Sequence, residues 1–294
     1  MGDLPPAPSA RRRAARTRWK MLVPRTRRHK GALAGLGIVL ALAGVAVFDN
    51  ILAPASPTRI NIVVALQAPS QAHPMGTDQY GRDIYSRVIH GAGISLSIGL
   101  ISVGIAASVG TVVGLVAGYY GGVIDGLLMR VIDVMLAFPG ILLALGIVSV
   151  LGPSLRNLMI AVGIAAIPFY ARLVRSSVLV AKEQLYVEAA RVVGVSVPII
   201  LVRHILPNVA APIIVAATLG MAGAILSAAA LSFIGLGSQP PTPEWGRMLS
   251  EGRDYLRDAW WISTFPGLAI MLTVLGVNML GDGLRDVLDP RLRI

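Results

Sequence analysis

No cysteine occurs anywhere in the chain, which excludes disulfides and thiolate metal sites and leaves the redox compartment open. Charge is also scarce. Asp, Glu, Lys and Arg make up 14% of residues, against roughly 25% in soluble domains. No Gly-rich loop ending in Lys is present to cradle a nucleotide phosphate. The Gly-x-Gly in GDGLRDVLDP (281–290) has no strand ahead of it and carries no such meaning. The abundant component is apolar: 55% of the 294 residues, with a mean hydropathy of +0.71. A soluble domain of this length needs a more polar surface, so the chain reads as an all-α integral membrane protein without a separate soluble domain.

The net charge of +11 is unevenly placed, with ten of the 26 Lys and Arg residues in the first thirty positions. A basic tail ahead of an apolar run suits a cytoplasmic membrane surface and its anionic lipid better than nucleic acid. The following run is too long for a signal peptide and lacks an obvious small-residue cleavage site. Six segments are long enough to cross about 30 Å of hydrocarbon: 31–52, 93–118, 127–151, 158–178, 208–236 and 262–281. With the N-terminus inside, 19 basic residues fall inside and 7 outside. The implied organisation starts with a basic cytoplasmic tail (1–30), a first span (31–52) and an extracytoplasmic loop (53–92). A membrane core (93–284) and a cytoplasmic C-terminus (285–294) follow. The core contains a cytoplasmic loop at 179–207 and an extracytoplasmic loop at 237–261.

The stretch EAARVVGVSVPIILVRHILP (188–207) interrupts two apolar runs and must lie in water. AKEQLYVEAARVV (181–193) favours a helix, and Gly194 stands where a left-handed cap would end it. Ser196 is placed to cap a second helix with Pro198 in its first turn. That helix is expected to stop near Pro207, because Leu206 precedes a proline. Val197, Ile200, Leu201 and Ile205 share roughly one face. Ala189 and Ala190 keep a surface small, and Glu188 gives it charge.

Glu188-Ala189-Ala190, Gly194 and the run to Leu206-Pro207 resemble the EAA loop of ABC importer permeases. RHILPN (203–208), with His204 where an aliphatic residue is usual, resembles the peptide and nickel branch. HPMGTDQYGRDIYSRVIHGAGISLSIG (73–99), LLMRVIDVMLAFPGILLALGIV (127–148), SFIGLGSQPPTPEWGRMLSEGRDYL (232–256) and FPGLAIMLTVLGVNMLGDGLRDVLDPRLR (265–293) are similar to C-type permeases of dipeptide and oligopeptide importers. The resemblance covers about 70–294 and implies a six-span type I importer permease in a bacterial inner membrane, with both termini cytoplasmic. It implies a heterodimer with a B-type permease, two ATPase subunits below and a peptide-binding protein above. It places ATPase coupling on Glu188, Ala189, Ala190, Arg191, Gly194, Ser196, Arg203, His204, Leu206 and Pro207. The chain itself would hold no cofactor and hydrolyse nothing, ATP and Mg belonging to the ATPase subunits. A nickel or modified-peptide importer is the alternative. A stand-alone secondary transporter or channel is a more distant one, since such proteins carry charges at mid-span.

Other groups admit two readings. His73, Asp78, Arg82 and Asp83 either contact the binding protein or form a hydrogen-bonded loop capping the next helix. Glu244 and Trp245, with Glu251 and Asp254, either dock the binding protein or form a solvated face. Trp245, Trp260 and Trp261 suit the membrane interface. A metal at His73 lacks further ligands. Arg130 and Asp133, three apart, can pair on one helix face. Gly110, Gly114 and Gly118 give one helix a small-residue face, for a moving interface or for plain helix packing.

Overall fold

The computed structural model describes residues 30–288. The basic tail through His29 and the last six positions lie outside the described residues, so the expected cytoplasmic termini rest on sequence. Among the described residues every regular element is helical. The long helices are α1 (Lys30–Val47), α2 (Ile84–Tyr120), α3 (Gly122–Leu136), α4 (Gly140–Leu151) and α5 (Leu155–Ala181). After a short α6 (Leu185–Val192), α7 runs from Val197 to Phe233, followed by α8 (Trp245–Gly252) and α9 (Trp261–Leu288).

Five of these helices are long and apolar enough to cross a membrane, and α3 with α4 makes a sixth span if the bent pair counts as one. This is the main departure from the expected spans. The segment 127–151 is not one helix: α3 and α4 meet at 89°. Pro139 explains the break, since it lacks an N–H and keeps the residue before it from continuing a helix. The second difference is the start of α2, nine positions ahead of the expected 93. Its first turns are polar, and several of their side chains find partners. Asp83 caps the helix by accepting from Ser86 N at 2.8 Å, and His90 Nδ1 meets Asp49 Oδ2 at 2.9 Å.

The bundle is built on α2 and α5, which run parallel. Gly110, Gly114 and Gly118 form their contact: a Cβ at Gly114 would lie 2.7 Å from the Ala171 carbonyl oxygen, and one at Gly118 2.8 Å from Val178 Cβ. The small-residue face is therefore spent on close packing within the chain. α1 lies antiparallel against α9, with Gly35 on Gly276–Leu280 and Gly283 on Ala32. One buried cluster joins α2, α4, α5 and α7, a second joins α2, α7, α8 and α9, and a third sits under α6. The second and third lie at opposite ends of α2, so the bundle has a closed cap at one end and a helical knuckle at the other.

Candidate functional site

The knuckle comes from local chemistry. α5 ends at Ala181, and Lys182 Nζ donates to the Gly118 carbonyl at 3.1 Å. α6 follows after one turn. Val187 and Ala190 point inward and join Leu115, Val174, Val178, Ile200, Ile205 and Val209. Gly194 has φ +81°, and the Val195 N–H reaches back to the Ala190 carbonyl at 3.0 Å. That is the expected left-handed helix ending. Ser196 occupies the cap position of α7 with Pro198 in the first turn, but its side chain makes no capping bond.

The expected stop at Pro207 is absent. Residues Ile200–Ile205 form a π-helical stretch, and Leu206 is helical at φ −52°, ψ −43°. The Leu206 N–H donates to Leu201, five residues back. The wide turn makes room for the Pro207 ring, and the Asn208 side chain donates to the His204 carbonyl at 2.6 Å. The knuckle is thus welded to α7 rather than separated from it by a loop.

The outward face of the knuckle holds Glu188, Ala189, Arg191, Gly194, Ser196, Arg203 and Pro207, all exposed. Arg191 lies 4.8 Å over the Tyr119 ring. His204 and Leu206 are half-buried, with His204 Nδ1 3.5 Å from the Ile199 carbonyl. Ala190 is not part of that face, because it is buried beside Val187. Leu185, Val192 and Val193 had gone unnoticed in the sequence, and each is at least 80% exposed. Their signal was available: apolar residues in a water-side segment that lie off its buried stripe.

The opposite end is a charged cap. Asp78 accepts from Arg82 Nε at 2.6 Å and from the backbone of Tyr80 and Arg82 at 2.9 Å. Glu251 accepts from Arg82 at 2.8 Å and from Arg87 at 3.0 Å, and Arg87 Nη1 is 3.3 Å from Asp78. Two guanidiniums thus balance two carboxylates, all four nearly removed from solvent. Beside them, Asp83 Oδ1 meets His73 Nδ1 at 2.9 Å. Trp245 and Trp261 donate their indole N–H groups to the carbonyls of Val88 and Thr77, both at 3.0 Å. Glu244 caps α8 by accepting from the N–H groups of Gly246 and Arg247, each at 2.8 Å. Burial pushes its carboxyl above the usual range, and those two bonds oppose the shift.

Asp78, Arg82, Asp83, Glu244 and Trp245 are therefore buried, with side chains committed to one another rather than turned toward a binding protein. Only His73 keeps partial exposure. The hydrogen-bonded cap, the other reading of the 73–83 motif, is what the geometry shows. Within the span region Arg130 and Asp133 do not pair. Asp133 accepts from Arg172 on α5 at 2.7 Å, and Asp125 takes two bonds from Arg175 at 2.5 and 2.6 Å. The helix-to-helix partners won because α5 brings Arg172 and Arg175 within hydrogen-bonding distance of α3.

This arrangement of helices is shared with ABC importer permeases. Two crystal forms of the inward-facing MetNI methionine ABC transporter superpose with TM-scores of 0.55 and 0.53, at 20% and 21% identity. The match covers 68% of this chain and 96% and 95% of that one. Residues 110–294 match the model of binding-protein-dependent transport system inner membrane components, and the chain belongs to that family of multi-pass membrane permeases. Residues 17–69 match the N-terminal TM domain of oligopeptide transport permease C, which carries the resemblance ahead of position 70, where no motif was legible. The dipeptide transport system permease protein DppC of Alkalihalophilus pseudofirmus is 49% identical, over 94% of this chain and 90% of its own length. The di/tripeptide permease DppC of Pseudomonas aeruginosa is 47% identical over 90% and 89%. The glutathione permease GsiD of Escherichia coli is 48% identical over 95% and 92%.

Proposed function

We propose that this chain is the C-type permease of an ATP-driven importer of short peptides. It forms half of the path with a homologous B-type permease, and its knuckle seats in one of the two ATPase subunits, which bind ATP and Mg. An extracytoplasmic binding protein delivers peptide at the charged cap. Both termini and the knuckle are then cytoplasmic. The relatives named above for dipeptides, di/tripeptides and glutathione support short peptides as the cargo class.

The observation that carries this reading is the knuckle itself. Leu185, Val192 and Val193 stand exposed beside Glu188 on a segment that crosses nothing, while Val187 and Ala190 root it in the bundle. Exposed apolar side chains on a rigid polar-rimmed surface mark a protein contact. The rigid link through Ile200–Ile205 into α7 lets a displacement of the knuckle move a membrane helix.

Two substitutions test it. A Cβ at Gly194 meets nothing within 4 Å, so Gly194→Val acts through its positive φ alone, at a cost of about 1–2 kcal/mol, and re-aims α7 relative to α6. Glu188→Lys reverses the exposed charge. Both variants are expected to insert and keep the B-type partner but to lose ATPase subunits on purification, or to retain them with hydrolysis uncoupled from import. Import at parental rates with ATPase subunits bound normally would refute the coupling role.

A further inference from the structure

Arg82 and Arg87 in the cap, and Arg172 and Arg175 between α3 and α5, all have carboxylate partners. Arg285, near the end of α9, differs. It is exposed, and no ion pair or hydrogen bond among the described residues takes its guanidinium. It stands on the rim of a hollow of about 420 Å³ between α5, α7 and α9. Leu173, Ala211, Val215 and Leu219 belong to the apolar wall, and Asn208 is the one other polar residue in the lining. The Asn208 amide already donates to the His204 carbonyl. No carboxylate lines the hollow, although Asp282 and Asp286 are near Arg285 along α9.

The layout of the hollow follows from the helices. α7 starts at the knuckle, whereas α9 starts at the cap, where Trp261 bonds Thr77, so the two run antiparallel. Gly281 packs on Leu219, which leaves Asn208 and Arg285 both on the knuckle side of that contact. From Asn208 to Leu219 is eleven positions of α7, about 16 Å of wall. A cation and an amide thus sit toward the knuckle, with apolar side chains beyond them. This is the outline of an amphiphile with an anionic head. A short peptide fits it poorly, because no carboxylate in the wall meets its ammonium. A neighbouring helix fills the apolar part but must also bring an anion to the guanidinium. Anionic phospholipid carries both groups in one molecule and surrounds a membrane permease on every side.

We infer that this hollow is a binding site for an anionic phospholipid, with the phosphate on Arg285 and one acyl chain along Val215 and Leu219. The planar guanidinium fork matches two phosphate oxygens. A basic residue between membrane helices is the usual means of selecting an anionic headgroup. The site depends on the membrane-permease fold and holds whichever cargo is imported.

The full complex, with partner permease and ATPase subunits, is placed in phosphatidylcholine nanodiscs. These carry a trace of either phosphatidylglycerol or phosphatidylcholine with a photoreactive diazirine in one acyl chain. After irradiation, labelled peptides of this chain are located by mass spectrometry. The exposed Leu40 and Val47 of α1 supply the reference for bulk lipid. Relative to that reference, residues 211–219 are expected to take at least fivefold more label from the phosphatidylglycerol probe than from the other. Arg285→Gln is expected to bring the two probes level at 211–219, and Arg285→Lys to keep more than half of the preference. No label at 211–219 from either probe overturns the inference, because the partner permease or water then covers the hollow. Equal label from both probes in the parent also overturns it, leaving ordinary boundary lipid. A preference that survives Arg285→Gln removes Arg285 as the headgroup contact and sinks the site as drawn. Should Arg285→Gln fail to assemble, the ratio of the two probes in the parent and in Arg285→Lys decides.

Discussion

Arg82 has its charge neutralised twice, by Asp78 from its own loop and by Glu251 from α8, 169 positions away. Removing one member of a buried pair leaves the other charge without compensation, at about 3–5 kcal/mol. Arg82→Ala is therefore expected to lower the thermal stability of the purified complex and open the 53–83 loop to protease, with Arg82→Lys falling between. An unchanged melting temperature for Arg82→Ala would show that the charges are hydrated. Glu244 gives a pH-dependent counterpart. Burial raises its folded-state pKa above the ordinary value of about 4.3, so its protonated form is the better fit. The stability this contributes is complete below the ordinary value and is lost as pH rises through the raised one. Glu244→Gln keeps an acceptor for the α8 cap and removes the titration. Its melting temperature relative to the parent is expected to increase as pH rises from 4 to 7, and a difference constant with pH would contradict this.

At the scale of elements, the contact between α2 and α5 is the most demanding. Gly114 leaves 2.7 Å between a would-be Cβ and both the Ala171 carbonyl and Val174 Cβ. Overpacking a core costs about 1–3 kcal/mol and shifts backbones. Gly114→Leu is expected to part the helices and abolish import while the chain still inserts, whereas a leucine at Gly104, whose Cβ meets nothing within 4 Å, is tolerated. Equal import by both variants would mean that the close approach is dispensable. The bent α3–α4 pair belongs to this scale as well. Pro139 and Gly140 sat in plain view in the sequence, but the apolar content around them reads equally well as one straight span. Hydropathy sums composition and carries no direction, so a break costs it nothing.

For the whole molecule, the knuckle and the cap lie at opposite ends of α2, and in the proposed function the knuckle side, with its excess of basic residues, is the inside. Single cysteines at Ser70 and Ser196, both exposed, are expected to label oppositely in spheroplasts treated with an impermeant reagent, with only Ser70→Cys reacting. Reaction at Ser196→Cys alone would invert the topology and separate the knuckle from cytoplasmic ATPases.

The membrane class, the helical architecture, the Gly194 corner and the importer motifs were all legible along the chain, because each depends on neighbours in sequence. Apolar length, a residue tolerant of positive φ and the spacing of a loop are local properties. What only the tertiary structure decided is which polar groups meet. Asp78, Arg82, Asp83, Glu244 and Trp245 admitted a partner-facing reading, beside a hydrogen-bonded cap and a solvated face, because they occur in water-side loops. Their burial follows from partners that come from both ends of the chain, such as Glu251 for Arg82 and Val88 for Trp245. Asp133 likewise had Arg130 nearby in sequence and found Arg172 in space. A charge is satisfied by whatever lies within a few ångströms, and folding sets that distance where sequence separation does not.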